Sequence, residues 1–230
     1  MSFSLDRIPE GWVMTSFIKR LGDTAMNVGT KMTAAGAFAH IRTLEQVVED
    51  FEKRYGSGKM ESHSTHDPVL EWTIKAPNVK EAIRRACDGR REDGKMFQME
   101  SCVRTSSKLA FRDHLVSMHD AIEDIITSGE VEAFDTLYDL VREAKPWGIG
   151  ELSVYNVTAR VGAWKGVRPI IYVYLHAGPL KGWKALTGSG KNPYRILVAE
   201  LPEPLRHLAP HRTEDLFCEY RDLLNPGMLQ

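Results

Sequence analysis

Residues 137–157, LYDLVREAKPWGIGELSVYNV, decide how the rest of the chain is read. Leu137, Leu140, Val141 and Ala144 recur at helical spacing, and Lys145-Pro146-Trp147 stops that run. Gly148-Ile149-Gly150 follows, and a second helical run starts at Glu151. The pattern predicts two helices joined by a tight turn. The two glycines admit a backbone that a side chain would block, and Ile149 between them can pin the turn into a core. The second helix then begins with N–H groups that have no partner inside the helix. Such an end attracts a phosphate, or a monovalent cation that bridges to one.

Working outward, most of the chain reads as helices separated by short polar breaks. Helices are predicted over 43–55, over 79–87 with Asn78 as cap and Asp88-Gly89 as stop, and over 107–127. The last of these places Leu109, Phe111, Leu115, Met118, Ile122 and Ile125 on one face. Further helices are predicted over 131–144, 151–163 and 213–224, the final one capped by Thr213. Residues 61–68 and 90–94 read as loop and charged turn. PIIYVYL at 169–175 is rich in strand-forming residues, but no partner strand stands out, so it reads as an extended lead into a helix. The fold class is therefore mainly α. Residues 1–105 form a helical part without further assignment, residues 106–230 hold the hairpin, and the two are expected to make one compact unit.

Composition narrows the function classes. With 43% hydrophobic and 27% charged residues, the chain can bury a core without disulfides or metals. No apolar run is long enough for a membrane span, and no basic-then-apolar leader opens the chain, so a cytoplasmic protein is expected. The three cysteines, Cys87, Cys102 and Cys218, form no metal-binding spacing. His63-Ser64-Thr65-His66-Asp67 lacks a further ligand cluster, and Gly188-Ser189-Gly190-Lys191 lacks the remainder of a phosphate-binding loop. Neither metal nor cofactor is expected.

The net charge of −1 hides a strong asymmetry. No Asp or Glu occurs from 152 to 199, where Arg160, Lys165, Arg168, Lys181, Lys184, Lys191 and Arg195 stand uncompensated. Cations gathered directly behind the hairpin point to an anionic partner, with nucleic acid first.

The hairpin Pro146-Trp147-Gly148-Ile149-Gly150 resembles the helix-hairpin-helix motif, which grips the DNA backbone without reading sequence. Over roughly residues 130–225 the order of elements resembles the helix-hairpin-helix DNA glycosylase superfamily. The same segment also resembles an uncharacterised bacterial family through Tyr155-Asn156-Val157-Thr158, Gly162-Ala163, Pro169 and Val173-Tyr174-Leu175-His176-Ala177-Gly178. The resemblance implies a glycosylase-like helical bundle. It assigns Lys145, Trp147, Gly148, Ile149, Gly150, Arg160, Lys181 and Lys184 to DNA. It also implies a base pocket along the second helix.

Two departures shape the chemistry. Lyase-type members carry a lysine where Leu152 stands here, so a Schiff base by that route is not expected. The aspartate those enzymes use would fall near Ile171, inside the stretch that has no carboxylate. A carboxylate that stabilises an oxocarbenium-like sugar must then come from elsewhere, and Glu214, Asp215, Glu151 and Asp120 are the candidates weighed. The site residues selected are Asn156, for hydrogen bonds to a base edge; His176, for the base or a phosphate; and Asp215, for the cation. Tyr155, Tyr172, Tyr174, Trp164 and Trp183 are candidates to stack on a flipped base. The expected function is a monofunctional DNA glycosylase acting on a modified base, phage DNA being one source of such bases. The alternatives are a non-catalytic backbone-binding module and a small-molecule enzyme that uses the cations for phosphate.

Overall fold

The computed structural model describes residues 41–56, 67–97 and 103–229. His63, His66 and Cys102 lie outside them. Helix α1 spans Leu44–Phe51 and opens on a reciprocal cap. Thr43 Oγ1 accepts from the Gln46 N–H, and the Gln46 side chain accepts from the Thr43 N–H. Leu44, Val47 and Phe51 form its buried stripe, and the helix widens into a π-helical turn over Glu52–Gly56.

Asp67 caps α2 (Pro68–Ile74) by accepting from the Val69 N–H at 2.9 Å, with Pro68 in the first turn. The sequence reading ended a loop at that proline, where a helix begins. Helix α3 (Val79–Asp88) behaves as its caps predict: Asn78 Oδ1 accepts from the Glu81 N–H, and Gly89 ends the helix in the left-handed region.

The expected long helix over 107–127 is two helices, α4 (Thr105–Ser117) and α5 (His119–Thr127). Met118 sits between them with φ −99° and ψ 14°, and its N–H reaches back to Leu115. The tightened turn shifts the apolar face. Phe111, Leu115, Ile122 and Ile126 are buried, while Leu109 is exposed and Ile125 is half-buried.

Helices α6 (Ala133–Glu143) and α7 (Glu151–Ala163) form the hairpin arms. Helix α7 is central, with α2, α3 and α6 packed around it. The main core joins Val79, Ile83, Phe111, Leu115, Phe134, Leu137, Val154 and Val161, and so runs across the 105/106 division. The 169–175 segment is a strand after all. Strand β1 (Tyr172–Tyr174) pairs antiparallel with β2 (Arg195–Leu197), Val173 opposite Ile196. Its partner lies beyond α8 (Ala177–Thr187), too far away for local pattern to reveal.

A short 3-10 turn at Val198–Glu200 leads to helix α9 (Glu203–Arg206), which packs on α1, and helix α10 (Pro210–Glu219) covers β1 and α8. Helix α10 starts at Pro210, so Thr213 is a buried residue inside the helix and not its cap. Among the described residues the protein is mainly helical with one small two-stranded sheet, and no helix is long and apolar enough to cross a membrane.

Candidate functional site: a buried histidine–carboxylate cavity beside a helical hairpin

The hairpin turn is set by one glycine. Gly148 has φ +91°, where a β-carbon would be strained. Gly150 is extended, with φ −84° and open space around its α-carbon, so the expectation that both glycines are needed for the turn is corrected. Ile149 is buried as expected, and its N–H donates to the Pro146 carbonyl at 3.2 Å. Trp147 projects from the tip with 88% of its surface exposed.

Glu151 opens α7 and ties the two arms together. It accepts from the Tyr138 hydroxyl at 3.0 Å, from Arg142 Nε at 3.2 Å and from Lys145 Nζ. Burial disfavours its charged form, but the Lys145 and Tyr138 hydrogen bonds and the two cations prevail and hold its carboxyl below the usual range. Glu151 is therefore a hairpin clamp, and Lys145 is its partner at the turn.

Of the seven cations from 152 to 199, Arg195 and Arg160 are tied to carboxylates. Arg195 pairs with Asp139 and lies over Tyr172 and Tyr194. Arg160, expected on the DNA-facing surface, is only 1% exposed. Its Nε donates to Asp67 Oδ2 at 2.7 Å and its Nη1 to the Ala86 carbonyl at 3.1 Å. That residue is a buried tie and is corrected as a surface phosphate contact. Lys181 and Lys184 stand a turn apart on the outer part of α8, without an ion pair among the described residues.

Two residues past the hairpin, Leu152 begins the wall of a cavity of about 360 Å³, within the range of small-molecule pockets. On α7, Leu152, Tyr155, Asn156, Ala159 and Arg160 face it at successive turns. On α10, His211, Glu214, Asp215 and Cys218 do the same at helical spacing. His176 enters from the start of α8, where β1 hands the chain over. The three residues selected from sequence, Asn156, His176 and Asp215, thus meet in one cavity although 20 and 39 positions separate neighbours in the chain.

Glu214, weighed but not selected, is the partner of His176. His176 Nε2 lies 2.6 Å from Glu214 Oε1, and both side chains are about nine-tenths buried. The other nitrogen of His176 and Glu214 Oε2 are buried atoms without a hydrogen-bond partner among the described residues. The Tyr155 ring packs against His176 at 5.2 Å. Burial first, then the Glu214 charge, pushes the Tyr155 hydroxyl well above its ordinary range, so it keeps its proton. His211 is shifted down by burial and by the Arg168 charge, which favours a neutral ring. The Cys218 thiol is pushed up to about 12 by burial and the nearby carboxylates, which makes it a poor nucleophile.

Of the aromatic candidates, only Tyr155 lines the cavity. Tyr174 is buried beneath it, donating to Asp135 at 2.5 Å. Trp164 donates to the Ala76 carbonyl, Trp183 packs on Phe217, and Tyr172 lies under Arg195. Of the other carboxylates weighed, Asp120 is an exposed residue beside His119. Among the described residues no cluster of His, Cys, Asp and Glu has the makings of a metal site. No family model, curated protein or solved structure matches the chain.

Proposed function

We propose that the protein binds DNA through the 146–150 hairpin and acts as a monofunctional glycosylase on a modified base, with a helical bundle of the helix-hairpin-helix glycosylase kind. The observation that carries this reading is the cavity that begins at Leu152, beside the hairpin, and gathers Asn156, His176, Glu214 and Asp215. In the reaction proposed, the departing base leaves a cationic sugar, which a buried carboxylate such as Asp215 stabilises. Asn156 hydrogen-bonds the base edge, and Tyr155 offers a ring face. Leu152 supplies no amine, so water is the acceptor of the sugar. The hairpin, with Trp147 at its tip and Lys181 and Lys184 on α8, holds the backbone; a monovalent cation bridging the hairpin to a phosphate belongs to the same proposal.

The test is incubation of the full chain with unmodified duplex DNA, alkylated DNA, deaminated DNA and DNA carrying the hypermodified bases of phages. Abasic sites in one modified substrate are the expected result. A second reading is a backbone-binding module without chemistry. It is favoured by one observation, that Trp147 and the open end at Gly150 stand on the exposed tip of the hairpin. Tight binding with no abasic sites in any duplex would select it.

A further inference from the structure

The cavity contains a buried imidazole with one nitrogen engaged and one not. His176 is fixed at both ends. Its carbonyl accepts from the Leu180 N–H at 2.8 Å, and the preceding Leu175 N–H donates to the Tyr194 carbonyl at 2.8 Å. The ring packs on Tyr155 and directs Nε2 at Glu214 Oε1, 2.6 Å away. Nδ1 is buried without a partner among the described residues, and the residue lines the cavity.

A carboxylate only accepts, so the Nε2 position next to it must carry the proton. A neutral ring then presents a bare lone pair at Nδ1. Leaving that atom buried and unsatisfied costs free energy unless something in the cavity donates to it. We infer that Glu214 is a positioning residue that holds His176 as the Nε2–H tautomer, and that His176 Nδ1 is the proton acceptor of the cavity.

This assignment rests on the proposed glycosylase reading for its substrate, but not for its geometry. In that reaction a water molecule gives a proton to Nδ1 as its oxygen bonds to the sugar carbon. The N-glycosidic bond breaks with its electron pair on the departing base. The imidazolium then returns the proton to the base nitrogen, so the sum is hydrolysis and the dyad is restored. The Glu214 charge stabilises the transient imidazolium through Nε2–H.

The experiment has an arm without DNA and an arm with it. Nitrogen–proton correlation spectra of the full chain, labelled at histidine and with its imidazoles neutral, report which ring nitrogen of His176 bears the proton. The expected result is Nε2–H in the native protein, and a share of Nδ1–H in Glu214→Gln, whose amide can donate as well as accept. In Glu214→Ala the tautomers should mix. A proton on Nδ1 in the native protein, or an unmixed Nε2–H ring in Glu214→Ala, overturns the assignment.

The second arm measures abasic-site formation on alkylated, deaminated and phage-modified duplexes. His176→Ala and Glu214→Ala should each lose about a hundredfold or more in rate, as removal of a positioned base does. The double variant should lose no more than either. Glu214→Gln should also lose about a hundredfold or more, because its amide can donate to Nε2 and select the wrong tautomer, and the charge is gone. A loss in the double variant well beyond that of either single variant would make the carboxylate an independent reacting group and overturn the positioning role. The Nε2–H tautomer with no excision from any duplex supports the dyad and removes the DNA reading instead.

Discussion

Gly182 of α8 lies directly against the backbone of Phe217 in α10: a β-carbon on Gly182 would stand 2.1 Å from the Phe217 carbonyl oxygen and 2.7 Å from its carbon. One turn earlier, Gly178 meets Cys218 Sγ, with a β-carbon placed 2.7 Å away. This close crossing brings the start of α8, and so His176, onto Glu214. Backbone cannot step aside as a side chain can. Gly182→Ala should therefore cost about 3 kcal/mol or more, by comparison with other overpacked sites. Gly178→Ala should cost less, since Sγ can rotate, and Cys218→Ala should restore most of the loss. Urea denaturation of the three variants checks the order.

The hairpin glycines separate folding from binding. Gly148→Ala must place a β-carbon at φ +91° and should cost about 1–2 kcal/mol of stability. Gly150→Ala meets nothing within 4 Å and should leave stability unchanged. If the backbone there approaches phosphate, its added methyl group should still weaken binding to all duplex sequences alike, and Trp147→Ala should do the same. Reversing both Lys181 and Lys184 to Glu should flatten the salt dependence by about two in slope. Fluorescence anisotropy across a salt series measures all of these. Unchanged affinity in every variant would remove DNA as the partner.

Excision should proceed without a covalent intermediate. Leu152 lines the cavity where an amine would be needed for one. Borohydride should trap no protein–DNA adduct, and the product strand should stay intact until treated with alkali. Asn156→Ala should lose about 2–4 kcal/mol of transition-state stabilisation while binding backbone normally. Trapping in the native protein would show another amine at work.

Acid should weaken the fold through His211. Burial and the Arg168 charge lower its pKa in the folded protein. The unfolded chain therefore binds this proton at a higher pH than the folded chain does. Stability is lost as the pH falls through the ordinary histidine range, beginning near pH 6.5. His211→Asn should make the decline in melting temperature between about pH 7 and pH 5 shallower. A decline as steep as the native one would place the titrating group elsewhere.

What could be read from sequence was what is local. Asn78 and Gly89 announce α3 because caps act within a turn of the helix they bound. The hairpin arms were legible because their break carries Pro146 and Gly148. Met118 was not, since apolar spacing continues through it while the backbone tightens. Strand β1 was misread because its pairing with Ile196 is a long-range event. At the site, Asn156, His176 and Asp215 could be suspected from residue type and neighbourhood. The choice of Glu214 as the partner of His176 needed the phase of α10, and that phase is set by Pro210, three residues before the Thr213 that looked like its cap. His211, Glu214, Asp215 and Cys218 share one face only once that start is known.

The ion pair between Asp67 and Arg160 joins positions 93 apart in the chain, and this bears on modularity. Helix α7 is both the second arm of the hairpin and the element that buries Arg160. A shorter piece that kept the hairpin but began after α3 would lose the Asp67 carboxylate and the Ala86 carbonyl together, and with α2 and α3 gone the face of α7 that packs on them would open to water. Each Å² of apolar surface so opened costs about 25 cal/mol, against the roughly 5–15 kcal/mol that holds a domain together. The hairpin here is not a portable cassette that can be cut out or transplanted. Its smallest transferable form includes the chain back to Asp67, so recombination or domain fusion can move the hairpin only together with α2 and α3.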